Sequence, residues 1–281
     1  MKTLFRYFTG CLIAGLVCLT ATPSWAISYV GGDVLGYVGQ TGAAISKSLT
    51  GLAGGSDAAP VDGDLVIVSW CVAGNATPDR ALTIKTTGGT DYTLLGSEMF
   101  ANDGNTTNLR VAYRFMTATP DTTVEVSEAV AAGTGAVTDA GAIHIGVFRS
   151  VNATPLEQAV QLNAVLNTMV VDPGSITPTT TGTYIYVVGC GSNSIGAVHT
   201  SGDLTDFRSA TAADNTDATI GGGYHAWTSG TFSPATYGGG GTDGVSMSHA
   251  WLIVALAPAA AVEGFGGSNC GALMLLGVGG C

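Results

Sequence analysis

Hydrophobic positions come in short runs, each closed by Gly, Asn, Asp, Thr or Pro. The clearest are Asp64–Val72, Asn108–Met116, Ala140–Phe148, Thr183–Val188 and Ser248–Leu256; Ala81–Thr86, Tyr92–Gly96, Thr122–Ser127 and Ile27–Gly39 are weaker versions. Their Val, Ile, Tyr and Thr content between turn formers predicts β-strands. In the first run Leu65, Ile67, Ser69 and Cys71 share one strand face, and Val66, Val68, Trp70 and Val72 share the other. Helical periodicity is nearly absent. Only Ala153–Val165, with Pro155 suited to a first turn, lets a helix compete, and even there a strand is the preferred reading. The chain reads as all-β.

The runs recur in order. Gly63–Cys71 aligns with Gly182–Cys190, cysteine on cysteine; Ala112–Thr117 echoes Gly223–Thr228; Gly141–Phe148 echoes Ala250–Ala257. The offsets are 119, 111 and 109 residues. Two halves with one strand order and no charged or proline-rich linker predict a single two-sheet β-sandwich of jelly-roll type built from two quasi-repeated halves. Tandem domains are not required, since single all-β domains often exceed ~200 residues.

Lys2 and Arg6 precede the apolar stretch Cys11–Leu19, and Ser24-Trp25-Ala26 puts small residues at the −3 and −1 positions of a cleavage site. This pattern predicts a signal peptide over 1–26, cleaved after Ala26, and so a secreted or cell-surface protein. A β-sandwich domain at 27–258 and a Gly-rich tail at 259–281 follow. The apolar stretch is too short to cross ~30 Å, and no later one reaches ~18 residues, so no membrane span is expected.

Composition narrows the classes. Of 281 residues, 46% are hydrophobic and 10% charged, which excludes a disordered chain; the 42 glycines show no period of three, which excludes collagen. Nine basic residues against 20 acidic ones give a net charge of −11. Cleavage would remove Lys2 and Arg6 and no acid, leaving 7 against 20, or −13. That balance argues against a nucleic-acid partner. In an exported chain the remaining four cysteines invite pairing. Cys270 and Cys281 flank a short apolar segment and read as a small disulfide loop. Cys71 and Cys190 reach each other if their strands are neighbours; buried free thiols are the other reading.

Motifs with catalytic mechanics are missing: G-x-S-x-G, H-E-x-x-H and C-x-x-C do not occur. Val188–Gly196 is glycine-rich after a strand, but Ser194 stands where the third glycine of a dinucleotide turn would fall, and no helix follows. No cofactor is expected. Turn acids offer hard oxygen atoms, and Asp62, Asp64, Asp103, Asp203 and Asp206 are the candidate ligands, with Ca2+ the cation that suits them. The plainer reading is that Asp and Gly simply make turns. His144, His199, His225 and His249 are scattered. Trp70, Trp227 and Trp251 with Tyr113, Tyr224 and Tyr237 would furnish a sugar-stacking face, against the default that strand aromatics are core.

Ser48–Gly55 with Gly63–Val68, Val111–Arg114, Ala142–Arg149 followed by Asn152–Leu156, and Ala250–Pro258 resemble a jelly-roll-like β-sandwich module of tailed-phage virion and prophage proteins, over roughly residues 27–258. The resemblance implies a tail-fibre or surface recognition module; its motifs are strand starts and turns and bring no catalytic residues. The export signal departs from tail proteins, which assemble in the cytoplasm, and favours a secreted or cell-surface use. The expected function is a non-enzymatic exported surface module for recognition of a glycan or cell-surface protein, or for extracellular assembly. The alternative is a secreted carbohydrate-active enzyme on a jelly roll, which needs two carboxylates ~5–10 Å apart, for instance among Asp203, Asp206, Asp214 and Asp217. Residues 27–39, broken by Gly31, Gly32, Gly36 and Gly39, need an existing sheet edge. Pairing within their own fold is preferred; strand addition to a neighbour, building a homo-oligomer, is the other reading.

Overall fold

Strand pairing follows the two halves of the chain. The computed structural model describes residues 26–40, 44–75, 81–102, 105–129, 139–168, 170–193, 202–212, 217–236 and 247–260, and Ala26–Pro258 form one compact unit. The signal segment and the tail with Cys270 and Cys281 lie outside the described residues, apart from Ala26, Ala259 and Ala260.

Every strand pairing is antiparallel. One six-stranded sheet runs β1 (Ser28–Gln40), β9 (Asp139–Arg149), β3 (Leu65–Asn75), β7 (Asn105–Phe115), then β5 (Thr93–Leu94) and β6 (Met99–Asn102) in succession along the edge of β7. The other runs β10 (Val151–Leu156) and β11 (Gln161–Thr168) along β15 (Met247–Pro258), then β12 (Tyr184–Asn193), β14 (Asp217–Ala226) and β13 (Thr205–Ala212). The echoes therefore map sheet on sheet: β9-β3-β7 corresponds to β15-β12-β14. Across the interface β9 packs on β14 and β7 on β15, while β1 meets β13 and β6 meets β11. That exchange of equivalents is an approximate twofold relation.

A third sheet, absent from the expected two, covers the first. β2 (Ile45–Ser48), β8 (Thr123–Ala129) and β4 (Ala81–Thr86) pair side by side. Chain crossing between layers, which a jelly roll implies, occurs in this first half, where elements go back and forth between the six-stranded and three-stranded sheets. The first six-stranded sheet is thus buried on both faces, and β3 is almost uninterruptedly apolar for that reason. Leu65, Ile67 and Cys71 face the second half. Val66, Val68, Trp70 and Val72 face the small sheet with Ile45, Leu82, Ile84, Val124 and Val126. Gly141 makes room for Trp70: a Cβ there would come within 2.2 Å of the indole Cη2. The outer face of the second sheet is covered instead by irregular segments carrying Val171, Ile176 and Trp227, tied by paired backbone bonds of 2.9 Å between Ile176 and Phe232.

Residues 27–39 are used at home. β1 pairs along its length with β9, and its other side presses on β13, where a Cβ at Gly36 would collide with the Thr211 carbonyl. Donation of this strand to another copy would require breaking the ladder first. The stretch Ala153–Val165 holds strand rather than helix, as preferred, but only in part: β10 ends at Leu156, β11 begins at Gln161, and residues 157–160 between them are irregular. One echo shifts: Cys71 lies opposite Ala142 and Cys190 opposite Ala250, so the third offset is 108 (250 − 142) rather than 109. A one-residue slip turns every side chain to the other face. Offset 108 puts Ala142 and Phe148 on the inner face alongside their equivalents Ala250 and Leu256.

At the centre, Cys71 and Cys190 form a disulfide with Cα atoms 5.7 Å apart. Cys71 Sγ lies 3.6 Å from the Thr219 carbonyl oxygen, and Cys190 Sγ lies 3.6 Å from that of Asn108. Thr219 and Asn108 are equivalents at the 111 offset, so the bond sits on the twofold relation. Closing a loop across a sequence separation of 119 removes ~4–5 kcal/mol of freedom from the unfolded chain. Replacing both cysteines by alanine is expected to lower the unfolding free energy by at least ~4 kcal/mol in urea titration; a loss below ~1 kcal/mol would show that packing alone holds the halves.

Candidate functional site

Polar side chains in the interface between the two large sheets are tied to one another. Ser69 Oγ meets Tyr186 Oη at 3.0 Å, and Tyr186 Oη meets His144 Nδ1 at 2.9 Å. All three residues are at most 1% exposed. Their residue types could serve nucleophilic catalysis, but Ser69 meets the phenol rather than the imidazole, and the burial leaves a substrate no approach. Burial holds the His144 pKa down at about 4, with the Gly222 backbone opposing the shift, and burial raises the Tyr186 hydroxyl. The imidazole meets the Tyr186 hydroxyl at Nδ1 and turns Nε2 toward Gly222, where a Cβ would lie 3.1 Å away.

The acidic turns serve the fold in the same way. Asp64 is buried, accepts the Val61 N–H at 2.8 Å, and takes the Arg149 fork at 2.8 and 2.9 Å. Arg149 also bonds Asp57 at 2.7 Å. Asp62, in the same turn, is exposed. Asp203 accepts the Ala235 N–H at 2.6 Å. Asp206 accepts from Arg208 Nε and Nη2, each at 2.7 Å, and from the Tyr29 hydroxyl at 2.7 Å. Asp103 and Asp214 lie outside the described residues, as does the Asp217 side chain. No group of three or more His, Cys, Asp or Glu positioned for a metal occurs among the described residues. His144 and His249 stand in different sheets, His225 stacks on Phe232 at 4.1 Å, and His199 lies outside the described residues.

The proposed sugar-stacking set separates. Trp70 is fully buried, Trp251 and Trp227 nearly so, and Trp227 Nε1 donates to the Gly230 carbonyl at 2.8 Å. Tyr237 lies outside the described residues. Tyr113 and Tyr224 remain, half-buried at the end of the interface where β3 and β12 begin. They join rings that no sequence run linked. Tyr224 stacks on Tyr184, centroids 5.2 Å apart and planes at 6°. Phe148 stands edge-on to both, and Tyr29 lies 4.4 Å from Tyr224. Tyr113 and Phe115 pack edge to face at 6.3 Å.

Beside these rings is the Asp206–Arg208 pair, with Asp206 in the left-handed region at φ 46°. A non-glycine residue there is strained and is held only by its surroundings. Both Asp206 oxygens are engaged, so the group is set up to hydrogen-bond and orient rather than to transfer a proton. This end of the sandwich combines ring faces, phenol hydroxyls and a neutralised ion pair, a set suited to binding.

No protein-family model matches the chain, and no curated protein matches it. A solved structure that does, described as the crystal structure of the STIV MCP, is 8% identical, covers 83% of this chain and 97% of that chain, and superposes with a TM-score of 0.24.

His144 ties the buried chain to pH. Its folded pKa of about 4 lies below the ordinary 6.5. Above pH 6.5 both folded and unfolded chains are neutral there, and the full stability is present. As pH falls toward 4 the unfolded chain takes up the proton first, so about 3 kcal/mol is lost, levelling off below the folded pKa. His144→Asn should remove that share of the acid slope when unfolding free energies are compared between about pH 7 and pH 4. Equal slopes in the two proteins would contradict a neutral buried imidazole.

Proposed function

We propose that this protein is an exported, non-enzymatic β-sandwich module that recognises a glycan or a cell-surface protein through the ring-lined end of its interface. The observation that carries the compartment is the buried Cys71–Cys190 bond. Such bonds persist in oxidising environments and are rare in the reducing cytosol. The signal-like residues 1–26 point the same way. Among the described residues no helix is long and apolar enough to cross a membrane.

Recognition is favoured over hydrolysis by the way the candidate carboxylates are engaged. Asp206 is neutralised by Arg208, and Asp203 is held by a backbone amide. Half-buried Tyr184 and Tyr224 offer rings of the kind on which sugars and aromatic side chains pack.

Two measurements test the reading. Fractionation of producing cells should place the chain outside the cytoplasm, with its N-terminus at Ile27; intact cytoplasmic chain would overturn export. The mature protein should bind a defined set on a glycan array or a surface-protein panel, and Tyr224→Ser should lose that binding while keeping the fold. Binding unaffected by Tyr224→Ser would move the site elsewhere.

A further inference from the structure

The outer faces of the two large sheets are covered by different means. On the first, the three-stranded sheet closes over Val66, Val68 and Trp70 with ladders of its own. On the second, the cover is a strap, residues 171–183, that belongs to no strand. Val171, Pro173, Ile176 and Pro178 are buried along it, with exposed residues between them. Val171 and Ile176 pack with Ile185, Val187 and Ile253 of the sheet, and a Cβ at Gly174 would lie 3.5 Å from the Trp251 ring. Without a ladder, such a segment can open while the sheets beneath it stay closed.

One side chain holds its end. Glu157, just past β10, is fixed by its own N–H, which donates to the Ala255 carbonyl at 3.0 Å. Its Oε1 accepts from the N–H groups of Thr179 and Thr180 at 2.6 and 2.7 Å and from Thr179 Oγ1 at 2.7 Å. Its Oε2 accepts from Thr183 Oγ1 at 2.6 Å. All four donors are uncharged. After Arg149 the sequence has a single Lys or Arg, Arg208, and Asp206 holds that one. The titratable groups of the surrounding elements are engaged elsewhere. Asp172, on the strap, accepts the Gly174 N–H at 3.4 Å, and Asp203 accepts that of Ala235. His225 stacks on Phe232, His249 lies against Gly191, and Tyr184, Tyr186 and Tyr224 pack toward the interface.

We propose that Glu157 is an acid-released latch: protonation of its carboxyl frees residues 171–183 and uncovers the apolar outer face of the second sheet while the sandwich stays closed. A carboxylate accepts at both oxygens, whereas the protonated group turns one of them into a donor, which faces Thr donors already in place. Burial works to raise the carboxyl, and the bonds from Thr183, Thr179 and Thr180 outweigh it, so the group titrates below its ordinary 4.5. The latch is therefore fully held above that value and is lost as pH falls through the lower, folded one. Acid also weakens the whole fold through His144, so the strap has to be read locally. The inference goes beyond the recognition reading and does not rest on it.

Hydrogen exchange of the full chain, read by mass spectrometry and corrected for the intrinsic rate at each pH, is the test. Between about pH 7 and about pH 3 the wild-type strap should lose protection roughly tenfold or more while β12 and β15 keep theirs. Glu157→Gln keeps the shape without the charge; it should loosen the strap about ten- to a hundredfold already at pH 7, with little further change in acid. Asp172→Asn, which removes the strap's own charge, should respond to acid as the wild type does. A Glu157→Gln strap as protected as the wild type at pH 7 overturns the proposal. So does a wild-type strap that loses protection only together with β12 and β15, or an acid response that Asp172→Asn abolishes. If Glu157→Gln fails to fold, Thr183→Val decides: with one donor fewer the release should move to higher pH, and an unmoved release overturns the latch. Loss of glycan binding with the latch intact would count against the recognition reading and leave this one standing.

Discussion

A covalent bond between equivalent strands, made in the middle of the dry interface between two sheets, sets the positions of everything around it. Cys71 and Cys190 lie on the inner faces of β3 and β12, each central in its sheet. With that point fixed, the two-residue alternation of each strand decides which side chains enter the interface. Leu65 and Ile67 enter from one half, Tyr186 and Val188 from the other. The matching approach of Thr219 and Asn108 to the two sulfurs shows how closely the halves repeat about it.

A dry interior has a second requirement: polar groups inside it must find partners there. Ser69 Oγ, Tyr186 Oη and His144 Nδ1 bond one another on one side of the disulfide. On the other side Thr107 Oγ1 meets Ser248 Oγ at 2.9 Å, and Ser192 Oγ meets it at 3.1 Å. Asp64, buried at the start of β3, depends on Arg149, at the end of β9, 85 positions away. Ser69, Tyr186 and His144 therefore serve the interior of the fold. Tyr184 and Tyr224, by contrast, stay half-buried where the interface opens.

Much of this was legible in the sequence, and the failures have physical causes. The strand runs, the all-β class and the two repeated halves follow from alternation and turn residues alone. β2, β6 and β13 left no signal because they are short or carry mixed polar side chains, as in Ile45-Ser-Lys-Ser48 and Thr205-Asp-Phe-Arg208. Without β2 the small sheet could not be foreseen, and so neither could the reason Trp70 is core: it faces that sheet. The third echo was displaced by one residue because glycine and alanine at positions 140–142 do not mark a face. The ring cluster was hidden because Tyr29, Phe148, Tyr184 and Tyr224 come from four strands in two sheets. Only the closed sandwich brings them together.

The fold depends on the pairing of equivalent strands across the interface, and peptide mapping reads that pairing directly. Native protein, alkylated to block free thiols and digested without reductant, should yield one cross-linked species joining the peptide containing Cys71 to that containing Cys190. Recovery of both as alkylated thiols, or of either joined to Cys270 or Cys281, would contradict it.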